Sequence, residues 1–170
     1  MENLLMRRED NHTLSVYVSN KPGVLARIAQ VFARRAYNID SLVVSPSMDG
    51  KFSRMTITAQ GNPEGLDQII AQVNKLVDVI HCVDHTGENA VERELALIKI
   101  SVSSTERAEA LQVAEHFKCK TVDLTESSVI LMATGDTEKV DALVKMMGNY
   151  RVIELVRTGK VVMSRGNTET

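Results

Sequence analysis

Thr13-Leu14-Ser15-Val16-Tyr17-Val18, then Ser19-Asn20-Lys21-Pro22-Gly23, then Val24-Leu25-Ala26-Arg27-Ile28-Ala29-Gln30-Val31-Phe32: two periodicities meet here across one short turn. The first run alternates apolar and polar residues, which predicts a strand with one buried face. The last run places Leu25, Ile28, Ala29 and Phe32 at i, i+3, i+4 and i+7, which predicts a helix. Pro22 and Gly23 form the turn between them. A helix start leaves its first N–H groups unpaired and carries the positive end of the helix dipole, so a small anion can dock there. A second amide, Asn38, falls where the helical pattern stops and the next strand begins.

Working outward, Ile39 to Ser45 reads as a second strand, and Asp49-Gly50 is a hairpin signal. Phe52 to Ala59 is a third strand, with Ser53, Met55, Ile57 and Ala59 on one face. Asn62 and Pro63 suit the cap and first position of a helix. Its apolar stripe is Leu66, Ile69, Ile70, Val73, Leu76 and Val77. Val79 to His85 closes the unit as a fourth strand. Strand, helix, strand, strand, helix, strand within some 75 residues is the split βαβ, or ferredoxin-like, arrangement.

The order then repeats. Leu95 to Val102 is a strand, and Ser103 with Glu106 is a capping box for a helix carrying Ala110, Val113, Ala114 and Phe117. Lys118 to Leu124 and Val129 to Ala133 are strands. A helix follows with Val140, Leu143, Val144 and Met147 on one face, then a strand from Arg151 to Val156. The expected class is α+β, two ferredoxin-like βαββαβ domains in tandem. The expected boundaries are 1–11 as a polar lead-in, 12–86 as the first domain and 87–170 as the second. The repeat is architectural, without residue-by-residue identity between the halves.

Composition excludes several function classes. The 170 residues carry a net charge of −2 and 4% aromatic residues with no Trp. That provides neither the basic footprint nor the stacking surface of a nucleic-acid binder. No run reaches the roughly 18 apolar residues of a membrane span, and the N-terminus lacks a signal-peptide pattern, so a cytoplasmic protein is expected. Cys82 and Cys119 lack zinc-ligand spacing and read as reduced thiols. No phosphate loop, dinucleotide fingerprint, nucleophile elbow or zinc-protease motif occurs, so no catalytic residue is assigned. His81, Cys82 and His85 lie close in sequence. On a strand, however, His81 and His85 stand about 13 Å apart, too far to share a metal, and no metal site is assigned.

The turn and its surroundings suit a free amino acid. Backbone N–H groups of Gly23, Val24 and Leu25 can hold the carboxylate, and side-chain carbonyls of Asn20 and Asn38 can accept from the ammonium. A side chain at position 23 would crowd the ligand, and Val24, Leu25 and Ile39 favour an apolar ligand side chain.

These residues resemble a known family. Asn20-x-x-Gly23-Val24-Leu25 with Arg27-Ile28 and Phe32, then Arg35-x-Tyr37-Asn38-Ile39-x-Ser41-Leu42, is similar to the ACT domain of the acetolactate synthase (acetohydroxyacid synthase) small subunit. The similarity runs on through Ser53–Ile57, Lys75–Val79, Val91–Leu95 and Glu154-x-x-Arg157-Thr158-Gly159. The resemblance implies a regulatory subunit without its own active site, acting in branched-chain amino acid (valine, isoleucine, leucine) biosynthesis. It implies a catalytic large subunit as partner, carrying thiamine diphosphate, a divalent metal and FAD, with no cofactor on this chain. It also implies activation of that subunit, which makes 2-acetolactate and CO2 from two pyruvates, and feedback inhibition by valine. The valine would be held between two ACT domains of a homodimer, by Asn20, Gly23, Val24 and Leu25 of one chain and Asn38 and Ile39 of the other. Two rivals are a stand-alone ACT-type sensor controlling another enzyme or a transcription factor, and a small metal-dependent protein using His81, Cys82 and His85.

Overall fold

The computed structural model describes residues 11–87 and 89–170. The expected lead-in, 1–11, lies outside these except for Asn11. The elements follow in chain order: β1 (Asn11–Ser19), α1 (Val24–Arg34), β2 (Asn38–Pro46), β3 (Phe52–Gln60), α2 (Pro63–Val73) and β4 (Val79–Asp84). The order repeats as β5 (Val91–Ser101), α3 (Glu106–His116), β6 (Lys120–Leu124), β7 (Ser128–Gly135), α4 (Thr137–Met147) and β8 (Arg151–Arg157), with a short β9 (Val161–Met163) after it. The chain forms two compact units. One takes the described residues up to Val91 together with Val161–Thr170, and the other takes Glu92–Lys160. The closing residues, which the sequence reading placed in 87–170, thus group with the first unit. There Thr170 is buried, and its carbonyl oxygen lies 3.2 Å from His81 Nε2.

Each unit is a βαββαβ ferredoxin-like fold, as expected. The first sheet runs β2-β3-β1-β4 and the second β6-β7-β5-β8, with antiparallel pairing throughout. In the first unit, the alternation read from the sequence sets which face is buried. Leu14, Val16 and Val18 of β1 lie opposite Ile57, Met55 and Ser53 of β3. The apolar members of this set pack with Val24, Ile28, Val31 and Phe32 of α1 and Leu66, Ile69 and Val73 of α2. Side chains such as Ile57 and Phe32 are fully enclosed, so truncating either to Ala costs about 2–5 kcal/mol. The second core gathers Ile98, Ile100, Val129, Leu131, Ala110, Ala114, Leu143 and Met147.

One helical stripe differs from the pattern read in sequence. Helix α2 ends at Val73, short of Leu76 and Val77, and Val77 stands almost fully exposed. The stop is made by Asn74, whose side chain pairs with the backbone of Cys82 (Nδ2 to O, 3.2 Å; N–H to Oδ1, 2.8 Å) and so ties the helix end to β4. In α3 only Ala110 and Ala114 are buried, while Val113 and Phe117 are partly covered.

The same corner is built twice. After α1 and after α3 the chain turns through a left-handed residue that is not glycine, Ala36 (φ 57°) and Lys118 (φ 56°). Tyr37 N–H then reaches back to Phe32 O at 3.1 Å, and Cys119 N–H to Ala114 O at 2.8 Å. This is the helix-ending Schellman bond, which normally favours glycine at the left-handed position. A Cβ there is strained by about 1–2 kcal/mol, partly offset by the greater entropy that glycine has when unfolded. Ala36→Gly and Lys118→Gly are therefore each expected to raise stability by about 0.5–1 kcal/mol, shifting thermal midpoints up by a few degrees. Ala36→Val should lower them, and calorimetric scans of the variants check both signs.

Candidate functional site

Lys21-Pro22-Gly23-Val24 is a type II turn, with Pro at its second position and Gly23 (φ 84°, ψ −9°) at its third. The closing bond, Val24 N–H to Lys21 O, is long at 3.5 Å. The first helical bond is Arg27 N–H to Gly23 O, 3.1 Å, so the N–H groups of Leu25 and Ala26 precede it and have no helical acceptor. Two other contacts hold the turn. Asn20 donates from Nδ2 to Gly50 O (3.0 Å) and from its backbone N–H to Lys51 O (2.9 Å), which fastens it to the β2–β3 hairpin. On the other side, Asp78 accepts from Lys21 Nζ at 3.2 Å and from Arg27, and its carbonyl accepts from Ser19 N–H at 2.8 Å. Because the amide nitrogen of Asn20 is engaged, its carbonyl oxygen is the atom left for an incoming donor.

The four helix starts are not alike. Asn62 Oδ1 accepts from Gly65 N–H over α2 (2.7 Å), and Asp136 Oδ1 from Lys139 N–H over α4 (2.8 Å). At α3 the expected capping box is present. Ser103 Oγ accepts from Glu106 N–H at 3.3 Å, and the Glu106 carboxylate accepts from Ser103 N–H at 2.9 Å. The Ser103 hydroxyl, also bonded to that carboxylate, holds its pKa below the ordinary glutamate value. A carboxylate from the chain itself thus sits at the start of α3. Helix α1 alone among these has neither an acidic residue in its first turn nor a side-chain cap.

Gly23 has a second role besides the one read in sequence. A Cβ added there meets no protein atom within 4 Å, so the space in front of the turn is open, while the backbone angle itself disfavours a side chain. Val24 is buried in the core under the turn, and Leu25 is exposed beside it.

The other two residues of the predicted set lie elsewhere in the same chain. Asn38 is the first residue of β2 and pairs with Gln60, at the far end of the sheet from the turn. Helix α1, eleven residues and about 16 Å long, separates the two groups. Asn38 donates from Nδ2 to Asp40 Oδ1 (3.0 Å), and Ile39 is partly buried against the first core. One chain therefore carries both halves of the set but does not bring them together.

His81, Cys82 and His85 are each engaged separately. His81 stacks on Tyr17 at 5.5 Å. Cys82 is in the core, where burial, and secondarily Asp84, push its thiol up to about 12. His85 Nε2 lies 2.8 Å from Ser15 Oγ, with both residues shut off from solvent, a pair invisible in sequence because 70 residues separate its members. Among the described residues, no group of three His, Cys, Asp or Glu could hold a metal ion. Asp78, Tyr37 and the Asn20–Gly50 bond were likewise missed, because each depends on contacts between distant segments.

A ferredoxin-like unit whose first helix starts open beside a Pro-Gly turn defines an ACT-type module. Residues 14–81 match the family profile described as AHAS small subunit-like ACT domain, and residues 93–166 match that described as small subunit of acetolactate synthase. The chain is 44% identical over 156 residues to the probable acetolactate synthase small subunit of Archaeoglobus fulgidus, covering 92% of this chain and 98% of that one. It is 43% identical over 155 residues to the acetolactate synthase small subunit of Mycolicibacterium smegmatis, covering 91% of each. The crystal structure of the acetolactate synthase small subunit of Thermotoga maritima superposes with a TM-score of 0.82 at 38% identity, covering 93% of this chain and 99% of that one. The chain belongs to the acetolactate synthase small-subunit family.

Two outcomes follow for the residues described here. Gly23→Ala is expected to cost about 1 kcal/mol by backbone strain and Gly23→Asn less, since Asn tolerates left-handed angles, as read by denaturant midpoints. A thiol reagent at pH 8 should leave Cys82 unmodified in the folded protein and modify it on unfolding, because both burial and the raised pKa suppress its thiolate.

Proposed function

We propose that this chain is the regulatory subunit of acetolactate synthase, which activates a catalytic large subunit and makes it sensitive to valine. The thiamine diphosphate, divalent metal and FAD of the reaction belong to that large subunit, in the cytoplasm, and this chain supplies no catalytic residue. The observation that carries the reading, beyond family membership, is the division of the site between the two ends of one edge strand. Among the described residues, strand β2 is bonded only to β3 in its sheet, and its nine residues span about 26 Å. Its Asn38 end is remote from the turn, and its Pro46 end leads into the hairpin that holds Asn20.

A two-fold, antiparallel pairing of β2 with the β2 of a second copy reverses these ends. It sets Asn38 and Ile39 of the partner beside Asn20, Gly23, Val24 and Leu25, and by symmetry it does so twice. Each site then offers the features of a free amino acid's complement. Unpaired N–H groups at the start of α1 take the carboxylate, and the two asparagine carbonyls take the ammonium. Leu25 and Ile39 flank a branched apolar side chain. Burying such a side chain contributes about 2 kcal/mol, and hydrogen bonds to the charged ends about 1.5–3 kcal/mol each. After the cost of association this leaves micromolar to millimolar affinity, which is suited to sensing a metabolite.

Calorimetry of the intact protein with valine is expected to show saturable binding, two sites per dimer. Gly23→Asp, which adds a carboxylate where the ligand's own would lie, should abolish it, and Asn38→Ala should weaken it. Added to a matched large subunit, the chain should raise the rate of acetolactate formation and confer inhibition by valine. Valine binding unchanged by Gly23→Asp would sink the site, and a reconstituted enzyme indifferent to the chain would sink the function.

A further inference from the structure

Tyr37 immediately precedes Asn38, and none of the ligand chemistry above uses it. Its surroundings are nevertheless built around it. The hydroxyl donates to Asn62 O at 2.8 Å and lies 3.0 Å from Asn62 Oδ1, the same oxygen that caps α2. The ring lies over two glycines. A Cβ on Gly61 would fall 1.9 Å from a ring carbon of Tyr37, and one on Gly65 would fall 2.0 Å from its hydroxyl oxygen. Neither glycine has a left-handed backbone, in contrast to Gly23 and Gly50, so conformation does not demand them. Gly65 stands inside α2, where alanine is the better helix former. What both positions require is room for Tyr37. The platform is itself fixed, because His12 Nε2 donates to Gly61 O at 2.9 Å and Arg35 bonds Gln68 of α2.

The second unit supplies an internal comparison. It makes the same left-handed corner at Lys118, and it caps the following helix in the same way with Asp136. In that unit Cys119 stands where Tyr37 stands, and Lys139 stands where Gly65 stands, so there is no aromatic seat. Lys120 there occupies the place of Asn38. The corner therefore closes without the seat, and the seat occurs in the unit whose strand begins with the asparagine.

We infer that Tyr37 is a positioning residue. Its ring and hydroxyl, seated on the N-terminus of α2, fix the first residue of β2 and so pre-set the Asn38 half of the interchain amino-acid site. The inference rests on the valine-binding reading above and deepens it. A carbonyl held in place before the ligand arrives spares the entropy of ordering it on binding. Asp40, bonded to Asn38 Nδ2, completes the restraint by orienting the amide.

The test compares Tyr37→Phe, Gly65→Ala and, as a control in the second unit, Cys119→Ala. Calorimetric valine affinity of the intact protein and thermal midpoints are read for each, together with the valine concentration that halves the activity of the reconstituted synthase. Tyr37→Phe removes one hydroxyl and is expected to weaken valine about fivefold, the size of one ordinary hydrogen bond. Gly65→Ala displaces the ring and should weaken valine at least as much, while Cys119→Ala should leave affinity unchanged. A purely structural role would move thermal midpoints without moving the affinity of the folded protein. Unchanged affinity in Tyr37→Phe and Gly65→Ala, with the unaltered protein binding valine, overturns the inference and spares the functional reading. Absence of valine binding by the unaltered protein overturns both. Should Gly65→Ala fail to fold, Tyr37→Phe decides alone.

Discussion

Among the described residues, strand β2 has a hydrogen-bonded neighbour on one side only, and much of the first unit follows from that. An open edge presents a row of backbone donors and acceptors that must be met by solvent or by another strand. The antiparallel order of the sheet puts the start of β2 at one end and the start of α1 at the other. Asn38 and the Gly23 turn are thereby held apart within a chain. Two-fold symmetry in the proposed dimer would reverse the ends of the edge strand and bring the two groups of residues together. In the proposed dimer the ligand would bridge chains, so binding and pairing would reinforce one another by mass action.

The glycines divide by physical cause. Gly23 is required by its backbone angle, at a turn whose front is open. Gly61 and Gly65 are required by volume, because the ring and hydroxyl of Tyr37 occupy the space that a side chain would take. Residue type alone does not separate an angle from a void, and coordinates do. The helix starts divide in the same way. Three are met by side chains of the chain itself, two of them involving a carboxylate (Glu106 at α3, Asp136 at α4), and α1 is left open. An open start flanked by Lys21 and Arg27 is tolerable because Asp78 engages both cations and ties the turn to the sheet.

Repetition of the βαββαβ order with different side chains separates fold from function. Both units close the corner after their first helix with a left-handed residue, and both cap their second helix with a short polar side chain. These features serve the architecture. The Pro-Gly turn, the uncapped helix and the tyrosine seat occur in the first unit alone among the described residues, and nothing in the second unit's folding calls for them.

The sequence by itself determined the class of fold, since alternation of period two and stripes of period 3.6 are local and survive without tertiary context. It also named the turn and the two asparagines, because their chemistry is carried by residue type and by resemblance to a family. Tertiary structure decided the rest. Helix α2 stops at Val73 because the side chain of Asn74 finds the backbone of Cys82. Val161–Thr170 group with the first unit because contacts in space, not chain order, decide the grouping. The separation of Asn38 from Gly23 and the seat of Tyr37 on α2 arise from strand order and close packing between segments distant along the chain, and neither leaves a periodic trace in the sequence.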